Sequence, residues 1–144
     1  MADSPVAPVL GVGAMVRRGE AVLLVRRGQP PYAGEWAIPG GRVELGETLR
    51  AAAEREVLEE TGVRIHAGAT AYTFEYIERE QARVLHHYVV IDLLGTWLSG
   101  EPSAGDDAAE AAWIPFADLD RLPVNAETRR ALTTVFPDCL GGTA

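Results

Sequence analysis

Residues 41–63 contain fixed residue types at fixed intervals, and this run constrains the chain more than any other feature. With U for an aliphatic residue, the run is written G-x5-E-x7-R-E-U-x-E-E-x-G-U, and the chain matches it from Gly41 to Val63 without a gap. If each type occurs at its average frequency, the expected number of chance matches is on the order of 10⁻⁸. The spacing therefore requires a structural or chemical explanation.

Three glutamates of this run are spaced to share one side of a helix. The alanine-rich residues 48–54 favour a helix that continues through the run. Glu56, Glu59 and Glu60 then stand at i, i+3 and i+4, so their carboxylates point to one side. Like charges this close oppose folding unless a cation neutralises them. Because all the ligand atoms are oxygens, a hard divalent cation such as Mg²⁺ is the natural partner.

An open face of carboxylates also indicates the kind of chemistry. Mg²⁺ keeps several waters and shares its coordination with substrate phosphates, so the pattern predicts phosphate chemistry. The alternative is an ordinary solvated helix face with i,i+4 ion pairs such as Arg55 with Glu59. A merely solvated helix does not need a fixed spacing to Gly40–Gly41 and Glu47, and we therefore favour the metal site.

At these residues the chain resembles the Nudix hydrolases, whose defining pattern is the one quoted above. In that family the helix glutamates hold magnesium or manganese ions, and a carbonyl at or just before the first glycine adds a ligand. The resemblance implies that Glu56, Glu59 and Glu60 bind Mg²⁺ or Mn²⁺, together with the carbonyl of Gly40 or Gly41. It leaves the number of ions open.

The same resemblance implies supporting roles for further residues. Arg55 is expected to orient the neighbouring carboxylates, and Glu47 to lie close enough to support them. Many similar proteins carry another acidic residue near the metals, which makes Glu110 a candidate ligand or general base. Asp106 and Asp107, in the preceding loop, are the alternatives.

The remaining sequence predicts a mixed sheet with flanking helices. Apolar and β-branched runs predict a hairpin of two strands, a short strand before the glycine pair and two long β-rich segments; these are residues 9–17, 21–27, 37–38, 65–77 and 82–98. Thr48 is suited to cap the first helix and Gly62 to end it. A last helix is predicted at residues 128–136, with Asn125 as its cap. An α/β fold follows, compatible with the α/β/α sandwich of the Nudix family.

Length, charge and cysteine usage favour one small-molecule enzyme domain. The 144 residues suit a single domain, with flexible ends expected at 1–8 and 138–144. A net charge of -8 argues against a nucleic-acid polymer as partner. No apolar run is long enough to cross a membrane, and no secretory signal starts the chain. The lone Cys139 excludes an internal disulfide and fits a reducing cytoplasm.

Four residues outside the run are candidates for substrate binding. Arg26 and Arg27 end the second predicted strand, so one is expected to point toward the phosphates and the other toward solvent; we favour Arg26 for the phosphate role. Trp36 is placed to flank a base, although a core position is the more common one for such a residue. Arg83 is a candidate for a phosphate or ribose contact, with an ordinary surface position as the alternative.

The resemblance implies metal-assisted hydrolysis of a nucleotide pyrophosphate. Residues 34–47 are similar to the small ADP-ribose pyrophosphatase-like branch, which favours ADP-ribose or a sugar nucleotide as substrate. The alternatives are a MutT-like enzyme that cleaves nucleoside triphosphates and, in another class, a nucleotide-binding sensor without activity. A homodimer, formed through an apolar strand edge or the N-terminal arm, is left open.

Overall fold

The computed structural model describes residues 5–105 and 107–140. The predictions for residues 1–4 and 141–144 and for Asp106 lie outside this part of the chain. In chain order the elements are β1 (Val9–Arg18), β2 (Ala21–Arg27), β3 (Trp36–Ala37), β4 (Gly40–Arg42), α1 (Leu49–Thr61), β5 (Arg64–Glu80), β6 (Arg83–Ser99), β7 (Ala108–Pro115) and α2 (Ala126–Val135), with 3₁₀ turns at Phe116–Arg121 and Pro137–Cys139. In the described residues, neither helix has the length and hydropathy needed to span a bilayer.

The strands form one mixed sheet. Its order is β3-β2-β1-β6-β5, with β4 paired to β1 and β7 paired to β2. β1 and β6 run parallel, and the other pairs of named strands are antiparallel. Strand β1 is therefore the centre of the fold, because it contacts β2, β4 and β6.

The sheet has an apolar face on each side, and one helix covers each face. Because side chains alternate along a strand, Val12 and Ala14 of β1 face α1, whereas Met15 faces α2. The core under α1 comprises Val12, Ala14, Val16, Leu23, Ala52, Ala53, Val57, Val63, Ile65, Ala67 and Leu93. The core under α2 comprises Met15, Val22, Leu24, Trp36, Ile114, Phe116, Leu119, Ala131 and Leu132. The predicted α/β/α sandwich is confirmed.

Helix α1 has the ends that its sequence predicts. The Thr48 hydroxyl accepts a hydrogen bond from the Ala51 N–H at 3.1 Å. Gly62 ends the helix in the left-handed region, with φ 76°, and its N–H donates to the Leu58 carbonyl. Glycine adopts this conformation without a steric penalty. These two ends fix which turns of the helix carry the glutamates.

The structure differs from the sequence-based prediction in four elements. Gly40 and Gly41, expected to follow the short strand at residues 37–38, themselves begin strand β4, which pairs with β1. Strand β7 was not predicted, because its alanines have low strand propensity; its pairing with β2 along the length of that strand holds it in place. Helix α2 begins at Ala126, two residues before the predicted start, although Asn125 caps it as expected. Trp36, just ahead of the strand predicted at residues 37–38, belongs to β3 and lies opposite Arg26 of β2.

Candidate active site

An open cleft lies on the α2 side of the sheet. Its volume is about 540 Å³, and its floor includes Gly11 and Gly13 of β1 and Tyr88, Val90 and Asp92 of β6. The loop before β3, the first turns of α2 and part of β5 form the walls. Together with the end of β2, these segments line the cleft with Arg27, Pro31, Tyr32, Glu35, Phe74, Glu75, Tyr76, Asn125, Glu127 and Arg130.

Gly40 and Gly41, which begin strand β4 and are termed the diglycine bend, join this cleft to the glutamates of α1. Both glycines line the cleft. The Gly40 N–H donates to the Glu60 carboxylate at 2.8 Å. A Cβ added to Gly41 would overlap the carboxylate of Glu56, so only glycine lets that carboxylate lie against the backbone. Two of the three predicted ligands therefore meet the bend that forms part of the cleft.

Arg55 connects most of the remaining carboxylates. Its Nε and Nη2 donate to the two oxygens of Glu47 at 2.7 and 2.9 Å. Its Nη1 donates to Glu56 at 2.7 Å and reaches Glu59 at 3.4 Å. A further bond of 3.0 Å joins Nη2 to the Arg42 carbonyl, just after the diglycine bend. This is the geometry expected for an arginine that orients its carboxylate neighbours.

These contacts keep the charges of the network fixed. The Arg55 side chain and the Glu44 N–H hydrogen-bond to Glu47, and together they lower the pKa of Glu47 from 4.5 to about 2. The hydrogen bond from Arg55 to Glu47, and to a smaller extent the one to Glu56, raises the pKa of Arg55 above its already high ordinary value. Both groups are therefore charged at neutral pH. Arg55 therefore supplies part of the charge neutralisation that the spacing of the glutamates predicted for a metal ion.

The donor chemistry fits a hard divalent cation. The side chains of Glu56, Glu59 and Glu60 provide only oxygen atoms as ligands, which Mg²⁺ prefers. The Glu59 side chain is 44% exposed to solvent, compared with 17% for Glu56. Among residues 5–105 and 107–140, no three His, Cys, Asp or Glu side chains converge into a set that could hold a metal ion. The carboxylates are drawn toward Arg55 and the Gly40 N–H. A cation held here would keep water or phosphate among its ligands, as Mg²⁺ commonly does.

The two arginines at the end of β2 lie in different places. Arg27 lines the cleft, and its Nε donates to the Pro31 carbonyl at 2.7 Å. Arg26 instead forms an ion pair with Glu110, opposite it on β7, at 2.8 Å. Neither Arg26 nor Glu110 is part of the cleft lining. Of the two arginines, Arg27 is thus better placed for a substrate phosphate, although the sequence favoured Arg26.

Trp36 and Arg83 also lie outside the cleft lining. Trp36 is 6% exposed and packs in the core under α2, which is the common position for a tryptophan between a turn and a strand. Arg83 is exposed at the start of β6. In the strand register of the β5–β6 hairpin, its backbone lies opposite that of Glu80. Asp107 lies near the end of β2, where its carbonyl accepts the Gly28 N–H at 3.2 Å.

Sequence reasoning missed the aromatic and acidic floor of the cleft. Tyr88, Val90 and Asp92 alternate along β6, so they share the face that looks into the cleft. Asp92 stands in the apolar run 88–94 of β6 and is 3% exposed. The sequence signal that could have identified Asp92 is a single carboxylate within an apolar run, because such a group is rarely buried without a function.

Comparisons with known proteins agree with this geometry. The family model of the NUDIX domain matches residues 7–135. A crystal structure of a MutT NUDIX hydrolase from Burkholderia pseudomallei superposes with a TM-score of 0.78, at 30% sequence identity, over 90% of this chain and 98% of that one. The chain belongs to the Nudix hydrolase family.

Two curated relatives show how the family's names vary among similar sequences. An ADP-ribose pyrophosphatase of Methanocaldococcus jannaschii is 35% identical over 81% of this chain and 65% of its own length. A putative 8-oxo-dGTP diphosphatase 2 of Mycobacterium tuberculosis is 40% identical over 77% of this chain and 75% of its own length. The first match thus spans just under two thirds of the relative.

Proposed function

We propose that this chain hydrolyses the phosphoanhydride of a nucleoside diphosphate linked to a second moiety, with ADP-ribose or a sugar nucleotide as the favoured substrate. Water attacks one phosphorus, and the bond from that phosphorus to the bridging oxygen breaks. The products are a nucleoside monophosphate and the phosphorylated second moiety. The observation that carries the proposal is the meeting of Glu56 and Glu60 with the diglycine bend at the edge of the cleft.

The protein's own part in this reaction is to hold the carboxylates in place. Arg55 fixes Glu56 from one side, and the Gly40 N–H fixes Glu60 from the other. Glu56, Glu59 and Glu60 are the residues that would hold Mg²⁺ or Mn²⁺, which would neutralise negative charge on the phosphate oxygens. A preorganised site of this kind does not have to reorient its groups during the reaction.

A glutamate of α1 is favoured as the group that takes the proton from the attacking water. Glu110 was the other candidate, but its carboxylate accepts a hydrogen bond of 2.8 Å from Arg26. Glu59 has the most exposed carboxylate of the Arg55 network on the helix and makes only long contacts to Arg55. It is therefore the one most free to accept a proton.

The choice of substrate rests on residues 34–47 and on the name of the archaeal relative. The second candidate is hydrolysis of a nucleoside triphosphate to a monophosphate and pyrophosphate, which the printed name of the mycobacterial relative favours. The two candidates differ in their products. Only the second releases pyrophosphate.

The test is a substrate panel combined with single glutamate variants. The purified chain is incubated with Mg²⁺ and ADP-ribose, sugar nucleotides, dinucleoside polyphosphates or nucleoside triphosphates, and chromatography identifies the products. We expect Glu56→Gln and Glu60→Gln to lower kcat roughly 100-fold or more. Binding of these nucleotides without any turnover would instead indicate a sensor.

Glu54 provides the matched control on the same helix. Its carboxylate accepts the Ala67 N–H at 2.8 Å and so faces β5 instead of the diglycine bend. Glu54→Gln makes the same change of charge and keeps an acceptor oxygen, so its kcat is expected to stay near that of the unchanged protein. A Glu60→Gln protein with unaltered turnover in Mg²⁺ would refute the assignment.

A further inference from the structure

One carboxylate of the cleft has no part in the chemistry above. Asp92 lies on β6 and is 3% exposed. In the described part of the chain, no group hydrogen-bonds to or forms an ion pair with its carboxylate. Gly13, its neighbour on β1, leaves the space for it, since a Cβ there would overlap Oδ1. An unpaired buried carboxylate is unfavourable for a fold, so its presence in a cleft indicates a ligand that pairs with it.

The two other carboxylates that line the cleft and are at least partly buried already have partners. Glu127 accepts from the Tyr72 hydroxyl and from Arg130, both at 2.7 Å. Glu35 accepts from Asn125 at 3.1 Å. These groups are satisfied by the protein itself. Asp92 differs from them because its oxygens face the cleft with nothing to accept from.

Aromatic side chains from β5 and β6 line the cleft beside Asp92. Phe74, Tyr76 and Tyr88 all line it, and the Tyr76 and Tyr88 rings have centroids 6.3 Å apart and planes inclined by 33°. Rings of this kind stack against nucleobases of any sequence, because every base has a π-face. The cleft therefore combines a stacking surface with one buried carboxylate that has no partner in the described part of the chain.

The strand register places Asp92 at a suitable distance from the diglycine bend. Gly13 of β1 is opposite Gly40 on one side and opposite Asp92 of β6 on the other. Because neighbouring strands lie about 4.8 Å apart, the backbones of Gly40 and Asp92 are separated by about 10 Å across β1. A nucleotide with its phosphates at the bend can thus extend its base along the floor of the cleft to Asp92.

We propose that Asp92 selects the base of the nucleotide by accepting a hydrogen bond from an exocyclic amino group. This inference rests on the proposed function, because it concerns the base end of the same nucleotide site. A carboxylate accepts hydrogen bonds and an amino group donates them. A base without the amino group leaves Asp92 unpaired, and a site built around a donor rejects an analogue that lacks it.

The experiment measures binding of nucleotide pairs that differ by one amino group. The probes are AMP against purine riboside 5′-monophosphate, and GMP against IMP, titrated into the full chain by calorimetry at pH 8 without metal. For the unchanged protein, we expect the amino-bearing member of at least one pair to bind roughly 10- to 100-fold more tightly. Asp92→Ala is expected to bring that ratio to about 1.

Two further variants make the result specific. Asp92→Asn keeps an acceptor oxygen but loses the charge, so its ratio should fall between those of the other two proteins. Asp138→Asn makes the same change at an exposed position outside the cleft and should leave the ratio unaltered. Thermal unfolding confirms that each variant is folded, and Asp92→Asn carries the test if Asp92→Ala does not fold.

The proposal is overturned if the unchanged protein shows no preference in either pair, or if Asp92→Asn keeps the full preference. Failure of the proposed function is a separate outcome, in which the protein binds these nucleotides with the expected preference but hydrolyses no substrate of the panel.

Discussion

Arg55 binds both oxygens of Glu47, through Nε at 2.7 Å and Nη2 at 2.9 Å. The same guanidinium donates to Glu56 at 2.7 Å, so one side chain fixes a carboxylate from the loop and another from the helix. The interval between Glu47 and Arg55 in the sequence is thereby explained. It spans the distance from the loop ahead of α1 to the second turn of that helix.

Replacing Arg55 by lysine should lower activity without removing the charge. Lysine cannot form the planar, two-pronged contact with Glu47, so Glu56 loses its orientation. We expect Arg55→Lys to lower kcat roughly 10- to 100-fold, as is typical when a residue that orients metal-binding groups is lost. Steady-state kinetics with a Mg²⁺ titration provide the measurement. Arg50→Lys, an exposed change on the same helix, is the control, and equal kcat values for the two variants would contradict the role of Arg55.

The two glycines of the bend should respond differently to alanine. At Gly41 the added Cβ would overlap the Glu56 side chain, which can move, so Gly41→Ala should reduce turnover while unfolding stays near normal. At Gly40 it would overlap the Val12 carbonyl, which is backbone, so the free energy of unfolding should fall by about 1–3 kcal/mol.

Gly68→Ala is the matched control for both glycines, because its new Cβ would lie 3.5 Å from the Leu94 carbonyl, an ordinary contact. Chemical denaturation and turnover are measured on all three variants. A Gly41→Ala protein with full activity would show that the position of Glu56 against the bend does not matter.

The sequence predicted α1 and its two ends well because their geometry is local. The intervals among Glu56, Glu59 and Glu60 translate directly into a helix face, and the caps of that helix are single residues. Strand β7 was missed because its alanines carry little strand preference, and only pairing with the distant β2 makes it a strand. Local pattern cannot supply that pairing.

Arg26 and Asp92 show the same limit within the site. Alternation predicts that one of two adjacent arginines faces the phosphates, but the partner strand decides which one. β7 places Glu110 opposite Arg26 and so leaves Arg27 to the cleft. Asp92 became a floor residue through the parallel pairing of β1 with β6, whose residues are far apart in the sequence.

Replacing each of the two arginines of β2 by alanine should therefore have different effects on KM. Arg27 lines the cleft, so Arg27→Ala is expected to raise KM roughly tenfold through loss of a charged hydrogen bond to phosphate. Arg26→Ala breaks only a partly exposed ion pair with Glu110, worth about 1 kcal/mol or less, and should leave KM near normal. Initial rates over a range of substrate concentrations measure both. A larger KM for Arg26→Ala than for Arg27→Ala would reverse the assignment.

Stability should fall as the pH rises from about 4 to 7, because of Asp92. Burial, with a smaller effect from the charge of Glu127, raises the pKa of Asp92 from 3.8 to about 7. Between these two values the folded protein keeps a proton that the unfolded chain releases, so the free energy of unfolding decreases as the pH rises. The full difference corresponds to about 4 kcal/mol.

Glu47 acts in a different pH window. Its pKa is lowered from 4.5 to about 2, so its stabilising effect is complete above 4.5 and is lost only as the pH falls toward 2. Between pH 5 and 7 the slope should therefore come from Asp92. Asp92→Asn removes the ionising group, so we expect it to flatten this slope and to be more stable than the unchanged protein at pH 8. Chemical denaturation at pH 5, 6, 7 and 8 measures the effect, and Asp138→Asn should follow the unchanged protein. An Asp92→Asn protein that is less stable at pH 8 would mean that the carboxylate has a partner within the fold, and its availability to a ligand would then be lost.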